Sequence, residues 1–265
     1  MPSFSHIFSS CCRPGAEAED PIPLASVPVA PTAAGPSDAM GRVIVNTAHI
    51  ESATPGLAYF HDVVGRNLPA GQRAIDLGSG GGRDSKVLAQ AGWQVTAVDP
   101  RREAATAVSD QARIDFVLGT LADVAAQPGS IQLINCQRVT QLMSLVQLRD
   151  MLDRAASMLS PDGHLSISFF GPDHSWTKDP QHRTDSFYDV GAIETELQRC
   201  DLQMAATPDE YKGPHKAGNG QQVQCWHEIR IVARKEPQIR QSALATQLRA
   251  QVDAAQPPAS LTTTG

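Results

Sequence analysis

Apolar residues fall along this chain in two alternating rhythms. Short runs at Ala74–Leu77, Gln94–Val98, Asp115–Leu118, Ile131–Cys136, His164–Phe170, Leu202–Ala206 and Trp226–Ala233 read as strands. Stretches such as QVTAVD and HLSISFF are near-continuous, as expected of strands covered on both faces in a parallel sheet. The segments between them follow helical spacing. Leu57, Phe60 and Val64 stand at i, i+3 and i+7, as do Leu145, Leu148 and Leu152, with Leu159 two turns on; Val190, Ile193 and Leu197 repeat the pattern. SPDG, residues 160–163, supplies a turn before the fifth strand. Strand alternating with helix predicts a doubly wound α/β sheet of seven mostly parallel strands. Only the polar, Gly-rich YKGPHKAGNGQQVQ joins the last two strands, so the final strand is expected to run antiparallel.

The ends break the rhythm. Residues 1–40 hold PIPLASVPVAPTAAGPS, rich in Pro and Ala with no period, and are read as a disordered leader. That leaves 41–236 as the folded domain. Residues 237–265 contain PQIRQSALATQLRAQVDAA, one short helix with Ile239, Leu244 and Leu248 on its apolar face, followed by a frayed tail. The start, MPSFSHIFSSCCRPG, lacks the basic flank and apolar run of a signal peptide.

Composition narrows the function. At 265 residues and 41% hydrophobic, the chain suits one domain with a sizeable core, and a net charge of −6 argues against a nucleic-acid-gripping basic face. No stretch approaches eighteen consecutive apolar residues, so no membrane span is expected. Cys11, Cys12, Cys136, Cys200 and Cys225 are odd in number and make no C-x-x-C spacing. This argues against a disulfide framework or zinc site and makes a reducing, cytoplasmic setting the default.

The most informative stretch is AIDLGSGGGRDSKVLAQAGWQVTAVDP, residues 74–100. A strand ending in Asp76-Leu77 runs into Gly78, Ser79, Gly80, Gly81 and Gly82, and a helix opens near Arg83. Glycines there permit a tight turn and let a ligand lie against backbone amides, while the helix amino terminus favours an anionic group. Asp99 ends the next strand at the spacing from which an acid accepts both hydroxyls of a ribose. The plain alternative is a tight strand–helix turn with no ligand. A dinucleotide fingerprint needs glycine at 83, where Arg83 stands, and no G-x-x-x-x-G-K-[ST] loop occurs.

The remaining D-x-G-x-G-x-G pattern resembles motif I of the class I S-adenosylmethionine-dependent methyltransferases. Together with ASMLSPDGHLSISFFGPDHSW and CWHEIRIVARK, it resembles the subgroup related to the tellurite-resistance protein TehB, over roughly residues 55–235. The resemblance implies a Rossmann-like methyltransferase fold and a transferase using S-adenosyl-L-methionine. It also implies Asp76 near the methionine end, Gly78, Ser79, Gly80, Gly82 and Arg83 along the cofactor, and Asp99 on the ribose. The family often carries an adenine-contacting acid after the third strand. Here Thr120 and Leu121 occupy that place, with Asp123 three positions too far unless the loop bends back. Asn135 and Gln137 end the fourth strand, where the family lines the methyl-bearing region.

The resemblance implies a small-molecule acceptor such as a thiol or chalcogen oxyanion, for which a base is optional. His174 and His227 are the candidate proton carriers, with Trp176 and Trp226 beside them; a packed structural histidine is the alternative at each. Cys225 reads as packing, and Tyr59, Phe60 and His61 read as helix packing. His182, His215 and Asp173 have no partner at ligand spacing, so no metal is expected. A second reading rests on the Ser-rich opening, which resembles the leader of a bacterial type III secreted effector. On that reading the domain modifies or binds a host protein.

Overall fold

The computed structural model describes residues 44, 47–65, 68–182, 185–216, 220 and 222–235. The expected leader and the expected tail helix lie outside the described residues.

Among the described residues, eight strands and five helices follow in order: α1 (Pro55–Val64), β1 (Arg73–Leu77), α2 (Arg83–Gln90), β2 (Gln94–Asp99), α3 (Arg102–Val108), β3 (Ile114–Leu118), β4 (Ile131–Cys136), α4 (Leu145–Met158), β5 (Leu159–Phe170), α5 (Val190–Gln198), β6 (Leu202–Met204), β7 (Asp209–Lys216) and β8 (Gln222–Lys235). The helix starts obey local chemistry. Thr54 caps α1 by accepting from the Leu57 amide, and Pro55 occupies the first turn, where its missing N–H is harmless. Ser144 and Gln147 close a reciprocal capping box on α4.

Strand order is β3-β2-β1-β4-β5-β8-β6, with β7 paired to β8 alone. The neighbours from β3 to β5 are parallel, and β8 runs antiparallel to β5, β6 and β7. The chain winds outward from β1 to β3 and then returns to β4 on the other side of β1. The reversal opens a crevice at the carboxyl ends of β1 and β4.

Alternate residues of the strands feed two cores. Ile75, Ile134, Leu165 and Ile231 pack under α4 and α5 with Leu148, Leu152, Ile193 and Leu197. Ala74, Val95, Leu133 and Val232 pack under α1 and α2 with Leu57, Phe60 and Leu88. Both faces of the sheet are therefore covered, which is why its strands carry so few polar positions.

Two expectations need correction. The sheet has eight strands rather than seven, because part of the presumed connector forms β7. Five of its eight positions are exposed and none is buried, so it carries no apolar run to betray it, and a register shift between Gly213 and His215 accommodates Pro214. Leu159 does not continue the helical face of α4 but opens β5, pairing with Ile131 before the pairing resumes at Leu133–His164. The residues between these pairs are the SPDG turn, carried as a bulge. The final strand is antiparallel as expected.

Candidate functional site

The crevice is built from the turn after β1. The Gly78 and Ser79 amides donate to Val98 O at 2.7 and 3.0 Å, tying the turn to β2. Gly82 caps α2 in the left-handed region at φ +71°, where an added Cβ would stand 2.3 Å from Val108 Cγ1. Only glycine fits there. In front of Gly80 there is room: a Cβ would meet nothing nearer than 3.9 Å.

Asp99 closes the far side. Its carboxylate accepts the Gly80 amide at 3.0 Å and the Arg101 amide at 2.9 Å. The acid at the tip of β2 and the glycine turn after β1 thus face one another, as their sequence spacing predicted. Burial raises the Asp99 pKa, opposed by the amides of Arg101 and Gly80.

Behind the turn lies a buried acid pair. Asp76 accepts Ser85 Oγ at 2.5 Å and Asn135 Nδ2 at 2.8 Å, and the same Asn135 nitrogen donates to Asp84 at 3.0 Å. Asp84 also accepts the Thr54 amide and hydroxyl at 2.7 and 2.6 Å. Burial, then repulsion from Asp84, pushes the Asp76 carboxyl up to about 7. Gln137 Nε2 donates to Asn135 Oδ1 and Ser166 Oγ at 3.0 and 2.9 Å. Its Oε1 and the Ser79 hydroxyl are buried with no hydrogen-bond partner among the described residues. These are two unsatisfied buried polar atoms, one on the glycine turn and one against Gly56 of α1, and such atoms fit a polar ligand that completes them.

The remaining positions named from sequence fall around this crevice, with two surprises. Arg83 sits at the opening of α2, but its guanidinium reaches away to Ser52 and to Ala53 O at 2.8 Å. Lys86 Nζ holds Ala48 O at 2.8 Å, so this helix start clamps the chain before α1 over the turn. After β3 the loop does bend back. Thr120 caps a short 3-10 turn opened by the buried Leu121, and the Asp123 carboxylate accepts the Thr120 amide at 2.8 Å. An acid thus stands at Thr120 although none is encoded there. Thr54, Asp84 and Ser85 went unremarked in the sequence, where a polar residue at a helix start reads only as a cap.

The carboxyl ends of β4 and β5 and the outer half of β8 form a second, aromatic wall. His174 is fully buried and stacked on Phe170 with ring centroids 4.3 Å apart. Its Nδ1 accepts the Trp176 amide at 3.1 Å, and burial, with His182 and His227 nearby, holds it down to about 4. His227 is equally enclosed, its Nδ1 accepting the Asp173 amide at 3.1 Å, and burial followed by Lys212 lowers its pKa. These amide contacts fix the orientation of both rings, and His227 Nε2 lies 3.4 Å from the Glu210 carboxylate. Arg138 meets the buried Glu228 through two bonds of 3.1 and 3.0 Å and lies 5.0 Å over the Trp226 ring. Trp176 carries the His182 ring flat upon it, 3.8 Å between centroids. Among the described residues no group of three His, Cys, Asp or Glu is placed to hold a metal ion, and no helix is long and apolar enough to cross a membrane.

This sheet order, with a glycine turn and a ribose-spaced acid at the reversal, is the Rossmann-like methyltransferase fold. Comparison with known proteins agrees: residues 74–163 match the family described as "Methyltransferase domain". Curated relatives include ubiquinone biosynthesis O-methyltransferases of Xanthomonas euvesicatoria pv. vesicatoria, 32% identical over 105 residues, and Xanthomonas axonopodis pv. citri, 32% identical over 112 residues. These matches cover 37% and 40% of this chain but only 43% and 46% of the relatives, so the chain spans less than half their length. Among solved structures, the Burkholderia thailandensis 1,6-didemethyltoxoflavin-N1-methyltransferase, with bound 1,6-didemethyltoxoflavin and S-adenosylhomocysteine, superposes with a TM-score of 0.53 at 22% identity, over 78% of this chain and 93% of that one. A TehB-like methyltransferase of Corynebacterium glutamicum gives 0.50 at 19% identity, over 72% and 94%. At these identities the likeness concerns the fold.

Proposed function

We propose that the chain is an S-adenosylmethionine-dependent methyltransferase acting on a small-molecule nucleophile. One observation carries the reading: the Asp99 carboxylate and the Gly80 amide meet at 3.0 Å across the crevice where the sheet order reverses. In this reading Asp99 receives the ribose hydroxyls, and the open space before Gly80 admits the chain linking ribose to sulfur. The Ser79 hydroxyl and Gln137 Oε1, both lacking partners, meet the amino-acid end beside Asp76 and Asn135. Asp123, folded back on Thr120, takes the place of the missing adenine-contacting acid. The bound cofactor supplies an electrophilic methyl group; the protein aligns the acceptor and excludes water, an effect of about 7–11 kcal/mol in well-oriented reactions.

Support for a small acceptor comes from the names of the relatives and fold neighbours, which include ubiquinone biosynthesis O-methyltransferases, a 1,6-didemethyltoxoflavin-N1-methyltransferase and a TehB-like methyltransferase. Calorimetry of the full chain with S-adenosylhomocysteine tests the first step. Saturable binding is expected, and no heat at millimolar ligand removes the reading. Tritiated S-adenosylmethionine incubated with fractionated extracts tests the second, with label expected in the small-molecule fraction. Label confined to protein would favour the host-protein reading raised by the leader.

A further inference from the structure

The loop after β5 carries a short His–Asp contact that sequence spacing did not reveal. His182 Nδ1 lies 2.7 Å from Asp185 Oδ2, with side chains 21% and 10% exposed. The imidazole is fixed on two sides, its edge by Asp185 and one face by the Trp176 indole at an interplanar angle of 5°. The described residues on either side are held: the His182 amide donates to Asp179 O at 2.9 Å and the Ser186 amide to Gln141 O at 2.8 Å. Gln141 in turn donates to Arg138 O at 2.7 Å. The pair therefore follows the carboxyl end of β5 and is tied through Gln141 to the turn that follows Gln137 at the end of β4.

Three histidines of this wall, His174, His227 and His182, differ in where the proton must sit. At His174 and His227, Nδ1 accepts a backbone amide, so the neutral ring carries its proton on Nε2 and has no lone pair there. At His182 the carboxylate requires a proton on Nδ1, which leaves the Nε2 lone pair available. Nε2 of His182 has no hydrogen-bond partner among the described residues. Among the described residues the other titratable group acting on the ring is His174, which burial keeps neutral.

We propose that His182, oriented by the positioning residue Asp185, accepts the proton of a hydroxyl on the methyl acceptor. The inference rests on the methyltransferase reading and extends it to an oxygen nucleophile. The acceptor O–H gives its proton to His182 Nε2, forming an imidazolium balanced by the Asp185 carboxylate. The oxygen keeps the bonding pair and joins it to the methyl group, while the pair of the broken carbon–sulfur bond stays on the sulfur as a neutral thioether. The proton is later released to water.

Two measurements on the full chain test this. Long-range nitrogen–proton spectra of the imidazoles, recorded near about pH 8 where an ordinary histidine is neutral, are expected to place the His182 proton on Nδ1. Asp185→Asn is expected to weaken that preference; a proton on Nε2 in the native chain overturns the proposal. In the second, catechol is the probe acceptor with tritiated S-adenosylmethionine. The native rate is expected to rise with pH and then level. His182→Gln is expected to lower kcat by about a hundredfold or more and abolish the rise, with affinity for S-adenosylhomocysteine unchanged. An unaltered rate and pH profile in His182→Gln overturns the role, as does methyl transfer to 2-mercaptoethanol but not to catechol. Failure of the native chain to bind S-adenosylhomocysteine sinks the methyltransferase reading instead, and the imidazole spectra distinguish the two failures.

Discussion

Replacing Asp99 by alanine removes the group on which the cofactor reading depends. In the free protein its carboxylate holds two amides, Gly80 N at 3.0 Å and Arg101 N at 2.9 Å. Losing both lets the glycine turn relax, and at about 1 kcal/mol for each net hydrogen bond the urea midpoint should fall by an amount equal to roughly 2 kcal/mol. The loss of affinity should be larger. Two ribose hydroxyls donating to a charged acceptor contribute about 1.5–3 kcal/mol each, together about 3–6 kcal/mol, which at 1.4 kcal/mol per decade is about two to four decades in Kd. Calorimetry with S-adenosylhomocysteine measures the affinity, and urea titration measures the stability separately. Affinity within threefold of the native value, with the stability loss present, would show that Asp99 only holds the turn. The ribose assignment would then be wrong.

Gly82→Ala forces a Cβ into the left-handed region, costing about 1–2 kcal/mol, and against Val108 Cγ1 2.3 Å away, adding about 1–3 kcal/mol; urea denaturation should show the combined loss. Arg138→Ala strands the buried Glu228 carboxylate and should cost about 3 kcal/mol in the same assay, because Arg230 and Trp226 still reach it. Burial alone would raise the Glu228 pKa, yet Arg138 and then Arg230 hold it at about 2 rather than 4.5. A folded pKa below the unfolded one stabilises above about pH 4.5 and loses that contribution as pH falls toward 2, so acid titration of Arg138→Ala should show a shallower acid limb than the native chain. Asp76 has the opposite sign. Raised to about 7 by burial and by Asp84, it should make urea midpoints decline as pH rises from about 4 to about 7, and Asp84→Asn should flatten that decline.

Much of the framework was legible because its signals are local. The β1–turn–α2–β2 unit joins a continuous apolar run, glycines and a spaced acid within twenty-six residues, and the Gly80 amide meets the Asp99 carboxylate. Signals that depend on distant partners were not legible. Asp84 meets Thr54 and Asn135, thirty and fifty-one positions away. Asp123 reads as misplaced by three residues until the 3-10 turn carries it back to Thr120. His174 and His227 drew notice as histidines near aromatics, but burial cannot be counted from sequence. His182 lacked a partner at ligand spacing because a contact to a carboxylate three residues on depends on the loop's conformation. The polar β7 has too little apolar periodicity to announce a strand.

The attachment of β7 leaves the molecule with a detachable margin. It hangs on the outer half of β8 and on no other strand, whereas the inner half of β8 is locked between β5 and β6. No described residue of β7 pairs with β1 or β4, so β7 forms no part of the reversal between them. The margin and the turn that faces Asp99 thus lie in separate parts of one sheet.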